Sequence, residues 1–167
     1  MPAIDVEGIT FTFPNSWEVT KYDDWTYYRA YQHAKVGTKA VDLVAVDPDR
    51  TAWLIEVKDY RRHRRTKSIE LSSEIAQKVH DTLAVLLAAQ TKASDDEEKR
   101  LAKKVSRALR LRVVFHLEQP AKHSKLFPRA IDPASVKLKL RMLVKQIDAH
   151  PAVVEMSNMR DIAWDAA

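Results

Sequence analysis

Two apolar segments joined by a short turn constrain the fold of this 167-residue chain more than any other feature. Residues 40–46 (AVDLVAV) and 52–58 (AWLIEVK) are separated by DPDRT, whose composition is typical of a turn. Apolar side chains fill neighbouring as well as alternate positions in both segments, which is the pattern of strands covered on both faces. The two segments therefore predict a β-hairpin at the centre of a sheet.

The rest of the chain predicts further strands and helices. Alternating or aromatic segments predict strands, and apolar residues at three- and four-residue spacing predict helices. The predicted strands are 8–13, 25–32, 109–119 and 151–157, and the predicted helices are 69–90, 97–109 and 133–149. Ser68 or Ser72 caps the first helix, residues 16–24 fit a short helix or a strand, and residues 158–167 have no clear pattern.

The order of these elements predicts the fold class. Strands followed by alternating helices and strands favour an α/β fold in which helices cover the faces of a central mixed β-sheet. A chain of 167 residues suits one domain, so we expect a single domain over residues 1–167 with its core over about 9–157.

Composition excludes several other classes. The chain has no cysteine, which excludes disulfides, cysteine-based zinc sites and thiol catalysis. Its two glycines argue against a glycine-rich phosphate loop. No apolar run approaches the roughly 20 residues that span a bilayer, and residues 1–10 carry acids where a secretory signal has basic residues. We therefore expect a cytoplasmic protein with no membrane partner.

Basic residues concentrate in two parts of the chain. Residues 58–67 contain six basic residues and one acid, and residues 119–145 contain seven and one. A local excess of positive charge attracts polyanions, nucleic acid above all. The alternative interpretation is a solvated surface that keeps the protein soluble. The charge pattern thus indicates nucleic acid as a partner without specifying which kind.

The length of the turn decides which ionisable side chains meet. With DPDRT as a five-residue turn, Val44 pairs with Leu54 and Asp42 pairs with Glu56. Side chains alternate along a strand, so Asp42, Glu56 and Lys58 project from one face. Opposed residues have Cβ atoms about 4.5–5.5 Å apart. A four-residue turn would shift the register by one residue and separate the two acids.

Two partly buried carboxylates at this separation repel each other. One of them must take up a proton, or a cation must lie between them. Mg²⁺ and Mn²⁺ prefer oxygen ligands and would remove the conflict. Lys58, two residues after Glu56, could form an ion pair with it, stabilise charge on a phosphate, or hold a water molecule near the metal.

This arrangement resembles the PD-(D/E)XK nuclease superfamily. The resemblance rests on VDLVAV with Asp42 and on WLIEVK with Glu56, Val57 and Lys58, and it covers roughly residues 25–119. It implies a restriction-endonuclease-like fold, with Asp42, Glu56 and the main-chain carbonyl of Val57 as ligands of Mg²⁺ or Mn²⁺. It also implies that Asp42, Glu56 and Lys58 are catalytic, with Lys58 orienting or activating the attacking water.

The resemblance implies further site residues. Many members carry a glutamate before the aspartate strand, for which Glu18 is the candidate. Asp23 and Asp24 are substitutes, although such residues more often cap or terminate an element. Some members carry a glutamine or glutamate on the following helix, for which Gln77 is the candidate and Glu74 the second choice; a solvated helix face is the alternative for both. Phosphate contacts beside the site, with a solubilising loop as the alternative, are implied for Arg61, Arg62, Arg64, Arg65 and Lys67.

The combined prediction is a Mg²⁺- or Mn²⁺-dependent nuclease that hydrolyses phosphodiester bonds, with DNA favoured over RNA. The alternative is a non-catalytic module of the same fold that binds nucleic acid or protein. A further alternative is a subunit of a larger DNA-processing or defence complex. The sequence leaves a homodimer open.

Overall fold

The predicted hairpin lies at the centre of a five-stranded mixed sheet in the computed structural model, which describes residues 1–126 and 129–167. The strands are β1 (Ala3–Val6), β2 (Ile9–Thr12), β3 (Glu18–Lys21), β4 (Leu43–Val46), β5 (Thr51–Asp59), β6 (Arg110–Glu118), β7 (Ala152–Val154) and β8 (Asp165–Ala166). The helices are α1 (Thr26–Ala34), α2 (Leu71–Lys92), α3 (Asp96–Ser106) and α4 (Pro133–Val144), and a 3₁₀ turn covers Tyr22–Asp24.

The central sheet has the strand order β3-β4-β5-β6-β7. The pairs β3–β4 and β4–β5 are antiparallel, whereas the pairs β5–β6 and β6–β7 are parallel. Val44 pairs with Leu54 and Val46 with Ala52, as the five-residue turn predicts. The prediction of an α/β domain with a mixed sheet is therefore confirmed.

One face of this sheet is covered by helices. Val44 and Leu54 point to this face and pack in one buried cluster with Ile75 and Val79 of α2 and Leu140 of α4. The apolar spacing along α2 and α4 predicts these contacts, because residues three and four apart share one side of a helix.

The other face is covered by a second sheet rather than by helices. Leu43 and Ile55 pack there against Ile9, Phe11 and Trp164, which belong to or adjoin a three-stranded sheet of order β1-β2-β8. Helices on this face were predicted because two of the three strands are too short or too irregular to recognise. The buried core consequently extends beyond residues 9–157 at both ends.

Residues 25–32 form most of α1, so the predicted strand is wrong. The main-chain N–H groups of Thr26 and Tyr27 donate to the carboxylate of Glu98 at 2.7 and 3.1 Å, which caps the helix from a distant segment. Tyr28 is buried, with its ring 5.5 Å from that of Tyr22. Packing and capping by remote residues therefore override the strand preference of aromatic side chains.

Helix α2 begins with a cap that differs from the predicted one. The side chain of Glu70 accepts a hydrogen bond from Ser73 N at 2.9 Å, whereas Ser72 is fully buried and donates to the carbonyl of Val136. A carboxylate at this position also interacts favourably with the helix dipole. Within residues 1–126 and 129–167, no helix is both long and apolar enough to cross a membrane.

Candidate functional site

The structure brings Asp42, Glu56 and Lys58 together at one end of the central hairpin. Leu43 pairs with Ile55, so Asp42 lies next in line across from Glu56. Asp42 Oδ2 accepts a hydrogen bond from the main-chain N–H of Val57 at 2.7 Å. Asp42 is 8% exposed and Glu56 is 1% exposed. The predicted pairing of two buried acids is therefore what the fold produces.

Two lysines neutralise Glu56. Lys58 Nζ lies 3.0 Å from Glu56 Oε1, and Lys78 Nζ, which comes from α2, lies 2.6 Å from the same oxygen. Lys58 Nζ also donates to the Val57 carbonyl at 2.9 Å and lies 3.0 Å from Glu7 Oε1. Each lysine side chain is 14% exposed, so these contacts are largely shielded from water. The acids and lysines form one ionic cluster, which we call the acid–lysine site (Asp42, Glu56, Lys58 and Lys78).

The surroundings of the site shift its proton affinities. Burial, and after it the negative charge of Asp42, raises the pKa of Glu56 to about 7 despite the two lysines. Burial by itself would lower the pKa of Lys58, but Glu56, Asp42 and Glu7 raise it above its ordinary value. Glu56 can therefore exchange a proton near neutral pH while Lys58 stays charged, a combination that suits proton transfer next to an anionic group.

The site only partly fits the predicted metal ion. Glu56 Oε1 and the Val57 carbonyl already accept hydrogen bonds from lysines. Glu56 Oε2 is buried and has no hydrogen-bond partner in the described part of the chain, which is the observation in favour of a cation. Across residues 1–126 and 129–167, however, no group of three or more acidic or histidine side chains is arranged to hold a metal. Mg²⁺ or Mn²⁺ at Asp42, Glu56 and Val57 stays a prediction.

The two further candidates lie away from this site. Glu18 pairs with Val46, at the opposite end of the hairpin from Asp42, and its carboxylate contacts Arg100 and Lys104. Gln77 is exposed on α2. The structure therefore does not place either residue in the acid–lysine site.

Sequence reasoning overlooked Lys78, whereas Asp23 is one of the two aspartates that it offers as substitutes for Glu18. Lys78 adjoins Gln77 and lies three residues after Ile75, at the edge of the apolar stripe of α2, which is a signal that it points toward the sheet. Asp23, in the 3₁₀ turn before α1, has a buried Oδ1 without a hydrogen-bond partner among the described residues. Burial and the nearby Asp42 raise the pKa of Asp23.

Part of the basic segment that follows β5 is held by internal partners. Arg65 Nη1 lies 2.8 Å from Glu74 Oε2, and Lys67 contacts the same buried carboxylate. Arg61 Nη2 lies 2.7 Å from Asp59 Oδ2. Because these three cations are paired, their positive charge is less available to a ligand than the sequence indicates.

Arg62 and Arg64 are the more exposed part of this segment. Arg64 donates to the main-chain carbonyls of Lys125 and Leu126. His63, which lies between Arg62 and Arg64 in the sequence, is also exposed. A cavity of about 680 Å³ opens here, lined by Lys58, residues 59–64 and the turn between β1 and β2. We call Arg62, His63 and Arg64 the β5 basic segment. The other basic part of the chain, residues 119–145, lies only partly within the described residues, because Phe127 and Pro128 fall outside them.

The fold and the site define an α/β domain that carries a buried acid–lysine site at one end of its central hairpin. Over its whole length, the chain is similar to part of the cysteine–tRNA ligase of Neisseria meningitidis serogroup A / serotype 4A (strain DSM 15465 / Z2491), with 30% identity over 209 residues. The chain spans 30% of the length of that curated relative. No family model matches the chain, and no solved structure matches it.

This similarity contradicts the predicted activity. The relative is a ligase that takes its name from tRNA, so the prediction of a metal-dependent nuclease or endonuclease that hydrolyses phosphodiester bonds is wrong. The same finding overturns the alternatives built on DNA processing and defence. An acid followed by Glu-x-Lys arises often by chance, and one fold supports many functions. The geometry of the site was therefore predicted better than its role.

Proposed function

We propose that the chain is an RNA-binding domain related to part of a cysteine–tRNA ligase, and that it serves an enzyme acting on tRNA. The observation that carries this proposal is the similarity at 30% identity that spans the whole chain. RNA replaces DNA as the proposed nucleic acid because the relative is named for tRNA. A homodimer and a cytoplasmic location stay predictions.

The charge distribution supports binding of a polyanion. The sequence carries 28 Lys and Arg against 23 Asp and Glu. The cavity next to the β5 basic segment is open to solvent. Arg62 and Arg64 line it without a carboxylate partner among the described residues, and the ion pairs Lys58–Glu7 and Arg61–Asp59 line the rest of it. Cations in such a position attract phosphate groups and fix the register of a nucleic acid without reading its bases. The proposed RNA contact is accordingly a backbone contact.

We also propose that the domain has a restriction-endonuclease-like arrangement. The antiparallel pair β4–β5, followed by α2 and by the parallel strand β6, supports this proposal. The proximity of Asp42, Glu56 and Lys58 at one end of the hairpin also supports it, because the resemblance to the PD-(D/E)XK superfamily implies two acids and a lysine in one site. A shared arrangement does not carry an activity with it, so this proposal is compatible with an RNA-binding role.

Binding of tRNA at a series of salt concentrations tests the proposed function. Wild-type protein should bind fluorescently labelled tRNA, and log Kd should depend linearly on log salt. Arg62→Gln/Arg64→Gln should reduce that slope by about 1.5, since each lost phosphate contact lowers it by roughly 0.7–0.9. The matched control is Lys35→Gln/Lys92→Gln, which removes the same charge from two exposed positions outside the cavity and should leave the slope within error.

The proposal has a clear contrary result. Failure of the wild-type protein to bind tRNA at low salt would show that the β5 basic segment is not an RNA contact. The same conclusion would follow if the slope of log Kd against log salt fell as much in the control variant as in Arg62→Gln/Arg64→Gln. Because Arg64 also bonds two main-chain carbonyls, the melting temperature of each variant should be measured in parallel.

A further inference from the structure

A second basic cluster surrounds a cavity at the other end of β5. The cavity, of about 580 Å³, lies between the β4–β5 turn and the C-terminal half of α3. Five basic and two acidic residues contribute to its lining, which leaves an excess of three positive charges: Arg50, Arg100, Lys103, Lys104 and Arg107, with Glu18 and Asp47. The sequence did not single out this cluster, because its members come from two separate segments.

The acids in the lining are already engaged. Glu18 contacts both Arg100 and Lys104. Asp47 Oδ1 accepts from Thr51 N at 2.8 Å, and Asp47 Oδ2 accepts from Trp53 Nε1 at 3.0 Å. The Asp47 carboxylate therefore binds groups of the β4–β5 hairpin, and the Glu18 carboxylate binds cations of α3. Neither carboxylate is paired with Arg50, Lys103 or Arg107.

Three of the cations are left without an ion-pair partner. Within residues 1–126 and 129–167, no carboxylate lies within ion-pair distance of Arg50, Lys103 or Arg107. All three are exposed and line the same cavity. Cations from two elements converging on one cavity raise the local potential and favour an anionic ligand.

The turn that presents Arg50 is fixed against the end of α3. Arg50 has a φ of 60°, in the left-handed region that a non-glycine residue rarely adopts. Its Nη2 donates to the Arg107 carbonyl at 2.5 Å, and its own carbonyl accepts from Leu109 N at 2.8 Å. Backbone strain of this kind persists only where surrounding contacts hold it. Arg50 and Arg107 are thus kept adjacent before any ligand arrives.

We propose that Arg50, Lys103 and Arg107 form a second phosphate-binding site that contacts the backbone of the same RNA as the β5 basic segment. This inference rests on the proposed RNA-binding function. The two basic clusters lie at opposite ends of β5, which has nine residues and therefore a length of about 27 Å. One phosphate-bearing small molecule cannot reach both clusters, whereas a polynucleotide can.

The salt dependence of tRNA binding tests the second site directly. Lys103→Gln/Arg107→Gln should reduce the slope of log Kd against log salt by about 1.5, because two phosphate contacts are lost. Lys103→Arg/Arg107→Lys keeps both charges and should restore the wild-type slope. Lys35→Gln/Lys92→Gln, which removes two exposed charges outside both cavities, is the matched control.

A combined variant shows whether one RNA spans both clusters. Lys103→Gln/Arg107→Gln joined with Arg62→Gln/Arg64→Gln should lower the slope by about 3 if both clusters contact the same molecule. If Lys103→Gln/Arg107→Gln leaves the slope unchanged while Arg62→Gln/Arg64→Gln lowers it, the second site is refuted and the proposed function stands. If wild-type protein binds no tRNA, the proposed function and the second site fail together.

Discussion

Lys78 Nζ lies 2.6 Å from Glu56 Oε1, so a residue of α2 supplies positive charge that the sequence assigned to a metal ion. A buried carboxylate needs a nearby cation or a proton, because its desolvation is otherwise too costly. Lys58 and Lys78 meet this need from two different elements of the fold. The acid–lysine site is therefore neutralised by the protein itself, with or without a bound metal.

Loss of Lys78 should destabilise the domain. Lys78→Gln leaves Glu56 with Lys58 as its remaining cation, and we expect the free energy of unfolding to fall by about 2 kcal/mol, in the range for hydrogen bonds to charged groups. The neighbouring exposed residue gives a matched control, since Gln77→Ala should change stability by less than about 0.5 kcal/mol. Urea unfolding at pH 7 measures both values. Equal stabilities of Lys78→Gln and wild type would show that the contact contributes nothing.

The raised pKa of Glu56 predicts a pH-dependent stability. Its folded-state pKa is about 7, against an ordinary value of 4.5. Between these two values the folded state binds a proton that the unfolded state does not, so stability falls as pH rises from about 4.5 to 7. The full effect is about 3 kcal/mol. Glu56→Gln should remove this decrease, and unfolding curves of both proteins between pH 4.5 and 8 check it. An identical pH dependence in the variant would contradict the assignment.

Glu74 makes the opposite contribution. Burial would raise the pKa of Glu74, but Lys67 and Arg65 lower it to about 2. The stability that its ion pairs supply is present above its ordinary pKa and is lost as pH falls toward 2. Glu74→Gln should lower the free energy of unfolding at pH 7 by about 3 kcal/mol, because it leaves the largely buried guanidinium of Arg65 without its ion-pair partner.

An exposed position on the same helix provides the control for that prediction. His80 is exposed on α2, and His80→Gln should leave the stability within about 0.5 kcal/mol of wild type. The loss in Glu74→Gln should also shrink as the pH falls to 3. A loss that is the same at pH 3 and pH 7 would mean that packing, rather than charge, accounts for it.

Metal binding at Asp42 and Glu56 can be tested without any activity. An ion that binds only the folded state stabilises it by mass action and so raises the melting temperature. At an ion concentration of a hundred times the Kd, the stabilisation is about 2.7 kcal/mol. We predict that Mn²⁺ or Mg²⁺ raises the melting temperature of wild type and that Asp42→Asn abolishes the shift. If the ions shift both proteins equally, or neither, the lysines are the counter-ions of Glu56 in solution.

The central hairpin and its acids could be predicted from the sequence because turn length and strand alternation are local. DPDRT fixes the register, and the register sets Asp42 across from Glu56. Lys78 could not be assigned in the same way. Its contact depends on how α2 is rotated over the sheet, which the packing of the whole helix determines.

The errors elsewhere have the same origin. Helix α1 is capped by Glu98, which follows it by about seventy residues, so no local pattern shows the cap. The three-stranded sheet needs β8, a two-residue strand near the C-terminal end, to pair with β2. The second basic cluster likewise combines Arg50 with residues of α3. Contacts between remote segments are what the sequence could not supply.

Competition between tRNA and duplex DNA of equal charge tests the central claim most directly. The protein should bind labelled tRNA, and unlabelled tRNA should displace it at a lower concentration than the duplex at the same salt. Such a preference would support an RNA-binding domain related to part of a cysteine–tRNA ligase. Equal or stronger displacement by duplex DNA, or no binding to tRNA at low salt, would contradict it.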